Sequence, residues 1–259
     1  MPSFAHHSKP VTISIVSHGQ LEMMIPLLEQ LEAACHAVIE KVILTFNIPE
    51  ESEMVEKRWR FAVERIHNIR PKGFGANHNQ AFLRCETPWF LLLNPDIRLS
   101  ADVIGPLIRQ AGSHDGLLAP RIIEPGKELP ESHRRTVTPL EIYRRKRSGY
   151  VPPDRPDWLP GLFMLFRSEA FRKIQGFDER FFMYGEDFDI CARVQLAGWQ
   201  LHVGEDLTAM HDAQRASHGS FKHFYWHATS LLKVCASSTF WRYRRAKPWR
   251  TPCGSDLSR

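Results

Sequence analysis

The stretch Trp89-Phe90-Leu91-Leu92-Leu93-Asn94-Pro95-Asp96 decides the fold, because five bulky apolar residues run without a polar break and stop at Asn-Pro-Asp. A short apolar run bounded by a turn predicts a strand that is buried on both faces, as in a mostly parallel sheet. Pro95 cannot continue a central strand, so we expect Asp96 to reach the carboxyl edge of the sheet. That edge binds ligands in open α/β sheets, although Asn-Pro-Asp also favours an ordinary turn.

Shorter patterns before this strand alternate between strand and helix. Strands are predicted at residues 11–17, 41–46 and 63–68, with helices at residues 21–37 and 51–62 and a third helix that includes Ala81, Phe82 and Leu83. This β-α-β-α-β-α-β order implies a parallel sheet with right-handed crossovers, and hence a Rossmann-like α/β architecture with helices flanking the sheet.

The chain after Asp96 is less regular. Ser100 is predicted to cap a helix over residues 100–111, and residues 126–156 read as a long surface loop that carries the basic cluster Arg144 to Arg147. The remaining expectations are a strand at 117–123, a helix at 190–197 ended by Gly198, a last strand at 199–203 followed by a turn to His211, and a helical aromatic and basic tail beyond residue 218.

Length and composition fit one large α/β domain with an appendage. The 259 residues are 43% hydrophobic and carry a net charge of +5, which suits an anionic small molecule, an anionic membrane surface or nucleic acid. Five scattered cysteines without a CxxC pair indicate a reduced, cytoplasmic protein without a zinc site, and neither a membrane span nor a signal peptide is found. We divide the chain into a flexible N-terminus (1–9), the main domain (10–212) and a C-terminal helical extension (213–259).

An acidic and aromatic stretch, residues 177–189, holds three carboxylates near the predicted start of a helix: Glu186, Asp187 and Asp189. One of them could simply cap that helix, where backbone N–H groups stabilise negative charge. The apolar wall Phe181-Phe182-Met183-Tyr184 is unusual for an exposed cap. A carboxylate in such a wall can act as a general base for a sugar hydroxyl.

The order and spacing of these motifs resemble the family 2 glycosyltransferases of the GT-A fold, especially their rhamnosyltransferase-like bacterial branch. The resemblance rests on Gly73-Phe74-Gly75-Ala76 with Asn79, on Leu93-Asn94-Pro95-Asp96, and on Gly176-Phe177-Asp178-Glu179 leading to Tyr184-Gly185-Glu186-Asp187. It implies that a sugar, expected to be rhamnose, moves with inversion from a nucleotide diphosphate donor, dTDP-rhamnose first, to a hydroxyl of a glycan or lipid-linked glycan in polysaccharide biosynthesis.

The resemblance also assigns roles around a divalent cation, Mg²⁺ or Mn²⁺, which a leaving diphosphate requires and which prefers oxygen ligands. Asp96 matches the metal-binding end of the family's Asp-x-Asp motif, whose first Asp is Asn94 here. His211 stands where the family often has a histidine that completes the metal site, with a plain turn histidine as an equal alternative. Asp187 matches the catalytic base, and Glu186 is expected to contact the acceptor.

The donor's nucleotide is expected near three segments. The glycine loop supplies Lys72, Gly73, Phe74 and Gly75, followed by Asn79, and glycine lets the backbone approach a ligand closely. The strand tips supply Ser17, His18 and Asn47, where the family usually has an asparagine at the first tip and an acidic residue at the second. This departure leaves the base preference open.

The last expectations concern partners. Trp158 and the Arg144 to Arg147 cluster are placed near the acceptor or the donor diphosphate, and the tail is expected either to pack on the domain or to touch an anionic membrane at its inner face. The alternative function is a non-catalytic binder of nucleotide sugars or nucleic acid on the same fold. The intact Asp96 and the Glu186-Asp187 pair argue against it, and no nucleic acid partner is expected.

Overall fold

The computed structural model describes residues 9–50, 57–127, 130, 134–136, 138–145, 147, 149–151, 153, 155–213 and 221–246. The strands in this part of the chain are β1 (Val11–Ser17), β2 (Ile39–Phe46), β3 (Ala62–His67), β4 (Trp89–Leu93), β5 (Ile97–Arg98), β6 (Asp115–Ile123), β7 (Phe163–Arg167) and β8 (Gln200–His211).

The helices are α1 (Leu21–Gln30), continued by a π-helical turn at Leu31–Cys35, then α2 (Phe74–Phe82), α3 (Ile104–Gln110), α4 (Pro139–Arg145), α5 (Ser168–Lys173), α6 (Glu186–Leu196), α7 (Phe221–Ala236) and α8 (Ser238–Ala246). No helix in the described residues is both long and apolar enough to cross a membrane.

All eight strands form one sheet in the order β3-β2-β1-β4-β7-β6-β8-β5. The pairs β3–β2, β2–β1 and β1–β4 are parallel, whereas β7 runs antiparallel to both of its neighbours, β4 and β6. Because β8 is parallel to β6 and β5 is antiparallel to β8, only β5 and β7 oppose the common direction. The carboxyl ends of β1, β2, β4, β6 and β8 therefore meet at one edge of the sheet.

Strand β4 lies at the centre of two hydrophobic layers, as predicted. Trp89, Leu91 and Leu93 join the layer built with α1 and α3, while Phe90 and Leu92 join the layer on the other face. Each of the three leucines is fully buried. Burying a leucine side chain contributes about 1.5–3 kcal/mol relative to leaving it in water, so β4 is firmly fixed and its carboxyl end is well placed to carry a site.

The C-terminal helices pack on the main domain through α6. Phe240 and Tyr243 of α8 are buried against Phe188, and the Tyr243 hydroxyl lies 3.1 Å from Asp157 Oδ1. The predicted helical tail is confirmed over residues 221–246. Of the two alternatives for the tail, packing on the domain is observed for α8, although Trp241 of the same helix remains partly exposed.

Several local predictions need correction. The helix expected at 100–111 begins at Ile104, because Asp102 rather than Ser100 accepts the backbone N–H groups of Ile104 and Gly105. Helix α4 forms inside the segment predicted as a loop. The expected turn before His211 is instead the continuation of β8.

Three further predictions fall partly outside the described residues. Residues 51–56 of the helix expected at 51–62 lie outside the described residues, and residues 57–61 contain no helix before β3 begins at Ala62. Lys146 of the basic cluster and residues 1–8 of the predicted N-terminal segment also lie outside the described residues.

Candidate active site

The predicted nucleotide residues at the strand tips lie together. Asn47 Oδ1 accepts the backbone N–H of Lys72 at 2.8 Å, and Asn47 Nδ2 donates to the Lys72 carbonyl at 3.0 Å. The same Nδ2 is 3.2 Å from His18 Nδ1, and Asn68 Nδ2 donates to Asn47 Oδ1. Asn47 thus joins the tips of β2 and β3 to the glycine loop, which is the surface predicted for the nucleotide.

Glu50 holds the tip of β1 and was not predicted. Its carboxylate accepts the Ser17 hydroxyl at 2.8 Å and the backbone N–H groups of Gly19 and Leu21. An acidic side chain therefore does stand at the second strand tip, three residues after Asn47. Its signal in the sequence was the turn Asn47-Ile48-Pro49, which brings the next residue back towards β1.

The glycine loop has a reason for its glycines other than the close ligand approach we expected. A Cβ on Gly73 would lie 2.8 Å from the Phe182 carbonyl oxygen, and one on Gly75 would lie 2.5 Å from Phe177 Cβ. Phe74 N also donates to the Phe182 carbonyl at 2.9 Å. The loop therefore packs tightly against the segment that leads to the Glu186-Asp187 pair.

Asn79 ties the same two segments together. Its Oδ1 accepts the Phe177 N–H at 2.8 Å, and its Nδ2 donates to the Phe177 carbonyl and to Glu179 Oε1. Both ends of the amide are thus bound by protein, which gives Asn79 a positioning role in this structure. Lys72, by contrast, places its exposed ammonium on Gln80 at 2.6 Å.

Asp96 and His211 meet at the carboxyl edge, where β5 and β8 pair. His211 Nε2 is 3.2 Å from Asp96 Oδ2, and His211 Nδ1 is 3.6 Å from Glu124 Oε2 at the end of β6. The backbone N–H of Asn94 donates to the Leu162 carbonyl at 2.9 Å, which fixes the turn that carries Asp96. Glu124 is buried and was missed, because no local motif surrounds it.

These residues fit a divalent cation whose ligands come partly from the protein and partly from a substrate. Asp96 Oδ1 is buried and has no hydrogen-bond partner within the described residues, so it is available as a ligand. No three His, Cys, Asp or Glu side chains among the described residues are arranged to hold an ion on their own. A cation held by Asp96 and His211 would thus take its other oxygen ligands from a diphosphate and water, as Mg²⁺ commonly does.

The Glu186-Asp187 pair opens helix α6, directly after Gly185. Asp187 is partly buried beside Gly161 and its Oδ1 accepts the Phe188 N–H at 2.8 Å. Burial raises the pKa of Asp187, while the N–H groups of Phe188 and Gly161 and the charge of Arg134 limit this rise. A carboxylate whose pKa is raised above its ordinary value suits a general base.

Glu186 differs from its neighbour. Burial raises the pKa of Glu186, the charge of Asp187 raises it further, and Glu186 Oε2 has no hydrogen-bond partner within the described chain. Glu186 therefore favours the protonated form, which can donate a hydrogen bond. Asp189 forms an ion pair with Arg193 at 2.7 Å.

Arg134 links the two acidic groups and was not predicted. Burial and the nearby charge of Arg145 lower the pKa of Arg134 to about 10, and Asp187, Tyr150 and Glu124 oppose that change. Its guanidinium lies 5.1 Å from the centre of the Trp158 ring. Glu124 lies 3.6 Å from His211, so groups on the cation side and on the base side both lie within electrostatic range of the Arg134 guanidinium, and we expect the two sides to border one crevice.

Trp158 lies beside Arg134, whereas the exposed members of the basic cluster lie at the end of α4 and just after it. Trp158 pairs with Arg134 in an antiparallel bridge and donates its indole N–H to the Arg135 carbonyl at 2.7 Å. Arg144 and Arg147 line a separate pocket beside α4, not the crevice itself. Arg145 is the member that reaches Arg134.

Comparisons with known proteins identify the family of the chain. The chain matches the profile of "Glycosyl transferase family group 2" over residues 89–249. It is 28% identical to rhamnosyltransferase WbbL of Escherichia coli over 248 residues, which are 87% of this chain and 92% of that protein. It is 29% identical to N-acetylglucosaminyl-diphospho-decaprenol L-rhamnosyltransferase of Mycobacterium tuberculosis over 178 residues, which are 60% of this chain but 57% of that relative.

Solved structures show the same fold at low sequence identity. The mannosyltransferase PcManGT from Pyrobaculum calidifontis, in complex with GDP-Man and Mn²⁺, superposes with a TM-score of 0.65 and 13% identity over 94% of this chain and 70% of that one. Staphylococcus aureus TarS 1-349 in complex with UDP-GlcNAc gives a TM-score of 0.61 and 12% identity over 92% of this chain and 73% of that one. The chain belongs to the family 2 glycosyltransferases and has the GT-A fold.

Proposed function

We propose that this glycosyltransferase moves a rhamnosyl group, with inversion, from dTDP-rhamnose to a hydroxyl of a lipid-linked glycan. The donor sugar and the acceptor are supported by the two relatives, a rhamnosyltransferase and an N-acetylglucosaminyl-diphospho-decaprenol L-rhamnosyltransferase. The mechanism is supported by one observation above all: the charges of Asp187 and of Glu124, which lies 3.6 Å from His211, both act on the Arg134 guanidinium.

In the proposed reaction Asp187 accepts the proton of the acceptor hydroxyl. The freed oxygen forms a bond to the anomeric carbon on the face opposite the leaving group. The bond from that carbon to the diphosphate breaks, and the nucleoside diphosphate leaves with the electron pair. The two sides of the crevice, Asp187 and Asp96, suit this in-line displacement, because inversion needs the entering and leaving oxygens on opposite faces.

We further propose that Asp96 and His211 hold Mg²⁺ or Mn²⁺ on the leaving-group side. A divalent cation bound there supplies positive charge that neutralises the departing diphosphate. Mn²⁺ accompanies the nucleotides in the PcManGT structure and in that of GalNAc-T7, which supports a cation without fixing its ligands here.

The protein groups around the donor and the acceptor then have separate tasks. Ser17, His18, Asn47 and Lys72 form the surface proposed for the nucleotide. Glu186, in its protonated form, donates a hydrogen bond to the acceptor sugar beside the base. The exposed Trp241 of α8 and Leu232 of α7 support contact with a membrane surface, where a lipid-linked acceptor resides.

A transfer assay tests this proposal. The chain is incubated with Mn²⁺, an N-acetylglucosaminyl-diphospho-prenol and one of dTDP-rhamnose, UDP-GlcNAc or GDP-Man, and the product's anomeric configuration is read by NMR. We expect product from dTDP-rhamnose with the configuration opposite to that of the donor, and none after EDTA treatment. Retention of configuration would contradict the inverting mechanism. Transfer only from another donor would contradict the assignment of dTDP-rhamnose.

A further inference from the structure

We propose that a pocket beside α4 binds the diphosphate of an isoprenoid-linked acceptor, and that apolar side chains around its mouth hold the adjoining isoprenoid units. The pocket has a volume of about 370 Å³, within the range of small-ligand sites. Its lining comprises Arg135, Glu141, Arg144, Arg147, Gly149, Tyr150 and Val151. The inference rests on the proposed function and adds the place where the acceptor is anchored.

The charge of the pocket suits a polyanion. Three guanidinium groups, those of Arg135, Arg144 and Arg147, face a single carboxylate, that of Glu141. This carboxylate is already occupied, because it accepts a hydrogen bond from the Tyr150 hydroxyl. Guanidinium groups form paired hydrogen bonds with phosphate oxygens, so three of them in one pocket are well suited to a diphosphate.

Exposed apolar side chains accompany the pocket. Val151, which lines the pocket, is 72% exposed, and Tyr143 and Leu140 of the neighbouring helix α4 are 60% and 55% exposed. The Arg147 guanidinium lies 5.5 Å from the centre of the Tyr143 ring, so the cationic and apolar groups are in contact. This combination matches a ligand with an anionic head and a hydrocarbon tail, as at membrane interfaces.

The pocket adjoins the proposed base. Arg134 lies within electrostatic range of both Asp187 and Tyr150, and Tyr150 lines the pocket together with Arg135, the next residue along the chain. A sugar attached to a diphosphate in the pocket would therefore extend past Tyr150 towards Arg134 and Asp187.

This position favours the acceptor over the donor as the source of the diphosphate. Inversion requires the acceptor to approach from the side of Asp187 and the donor diphosphate to depart on the side of Asp96. Asp96 lies at the end of β4 with His211, whereas the pocket is built by α4 and the chain that follows it. The two anionic groups then occupy different places, as the reaction geometry requires.

A binding experiment tests the pocket without requiring catalysis. The double variant Arg144→Ala/Arg147→Ala is titrated with farnesyl diphosphate beside the wild type, with Arg109→Ala as a matched control on α3. The replaced arginines, Arg144, Arg147 and Arg109, are all exposed, so both variants are expected to fold like the wild type. We expect the double variant to bind at least about tenfold more weakly, the size of one or two lost charge-assisted hydrogen bonds, and Arg109→Ala to bind like the wild type.

Three controls decide the meaning of the result. Farnesol should bind weakly to all three proteins, and the affinity for dTDP should be the same in all three. Equal binding of farnesyl diphosphate by wild type and double variant would overturn the proposal, and so would an equal loss of dTDP affinity, which would assign the pocket to the donor. Failure of sugar transfer with the binding difference intact would instead count against the proposed reaction alone.

Discussion

Replacing Asp187 with asparagine removes the proposed base while preserving the shape of the site. The amide oxygen of Asn can still accept the Phe188 N–H that Asp187 Oδ1 accepts at 2.8 Å. Asp187 lies beside Gly161, and we place it on the acceptor side, apart from the strand tips where the nucleotide is proposed to bind. We therefore expect kcat to fall and the donor affinity to stay unchanged.

The expected size of the loss follows from the task of the residue. A positioned general base contributes about 10²–10⁴-fold to a rate, which corresponds to about 3–5 kcal/mol of transition-state stabilisation. Because burial raises the pKa of Asp187, its wild-type activity should disappear as the pH falls through a value above the ordinary 3.8 of an aspartate. The residual activity of Asp187→Asn should lack that acidic limb.

Single-turnover transfer and donor titrations measure both quantities, and Asp189→Asn serves as the comparison. Asp189 lies two residues away but is paired with Arg193, so its loss should lower the free energy of unfolding and leave kcat of the folded enzyme nearly intact. The assignment is refuted if Asp187→Asn keeps a wild-type kcat, or if folded Asp189→Asn loses as much.

Three other changes have defined outcomes. Glu186→Gln should be more stable than wild type at neutral pH, because the raised pKa of Glu186 makes the stability of wild type fall as the pH rises above 4.5. If the free energies of unfolding in urea changed equally with pH in both proteins, this would be contradicted. His78 is fully buried, and its pKa is lowered to about 3. As the pH drops below 6.5, the free energy of unfolding of wild type should therefore fall by up to about 1.4 kcal/mol per pH unit relative to that of His78→Gln. Equal acid sensitivity of the two proteins in denaturation would argue against this. His211→Ala should weaken Mn²⁺ binding in the presence of dTDP at least about tenfold by calorimetry, and unaltered affinity would remove His211 from the metal site.

The features that the sequence predicted best are those set by local pattern. The apolar run of β4 can be satisfied only by burial on both faces, and the boundaries of β1 were predicted to the residue because the β-branched run ends at a turn. The meeting of Asp96 with His211 depended on the resemblance, since 115 residues separate them.

Strand direction and long-range partners were beyond the local pattern. Strand β7 looks like any apolar strand, and its antiparallel direction depends on how the chain returns to the sheet. Glu124 and Arg134 are common residue types without a motif, and they become site residues only when β6 ends beside β8 and the Trp158 bridge forms. The glycine motif was expected to let a ligand approach the loop closely, whereas the group that approaches Gly75 is the side chain of Phe177.

The location of the cation relative to Asp187 is the central point of this account. Crystals grown with Mn²⁺ and dTDP would show the ion directly through its anomalous scattering. We expect one peak within coordination distance of Asp96, with the diphosphate bound to it and the Asp187 carboxylate facing the same crevice from the other side. A peak on the diphosphate that is remote from Asp96, or Asp187 turned away from that crevice, would contradict the account.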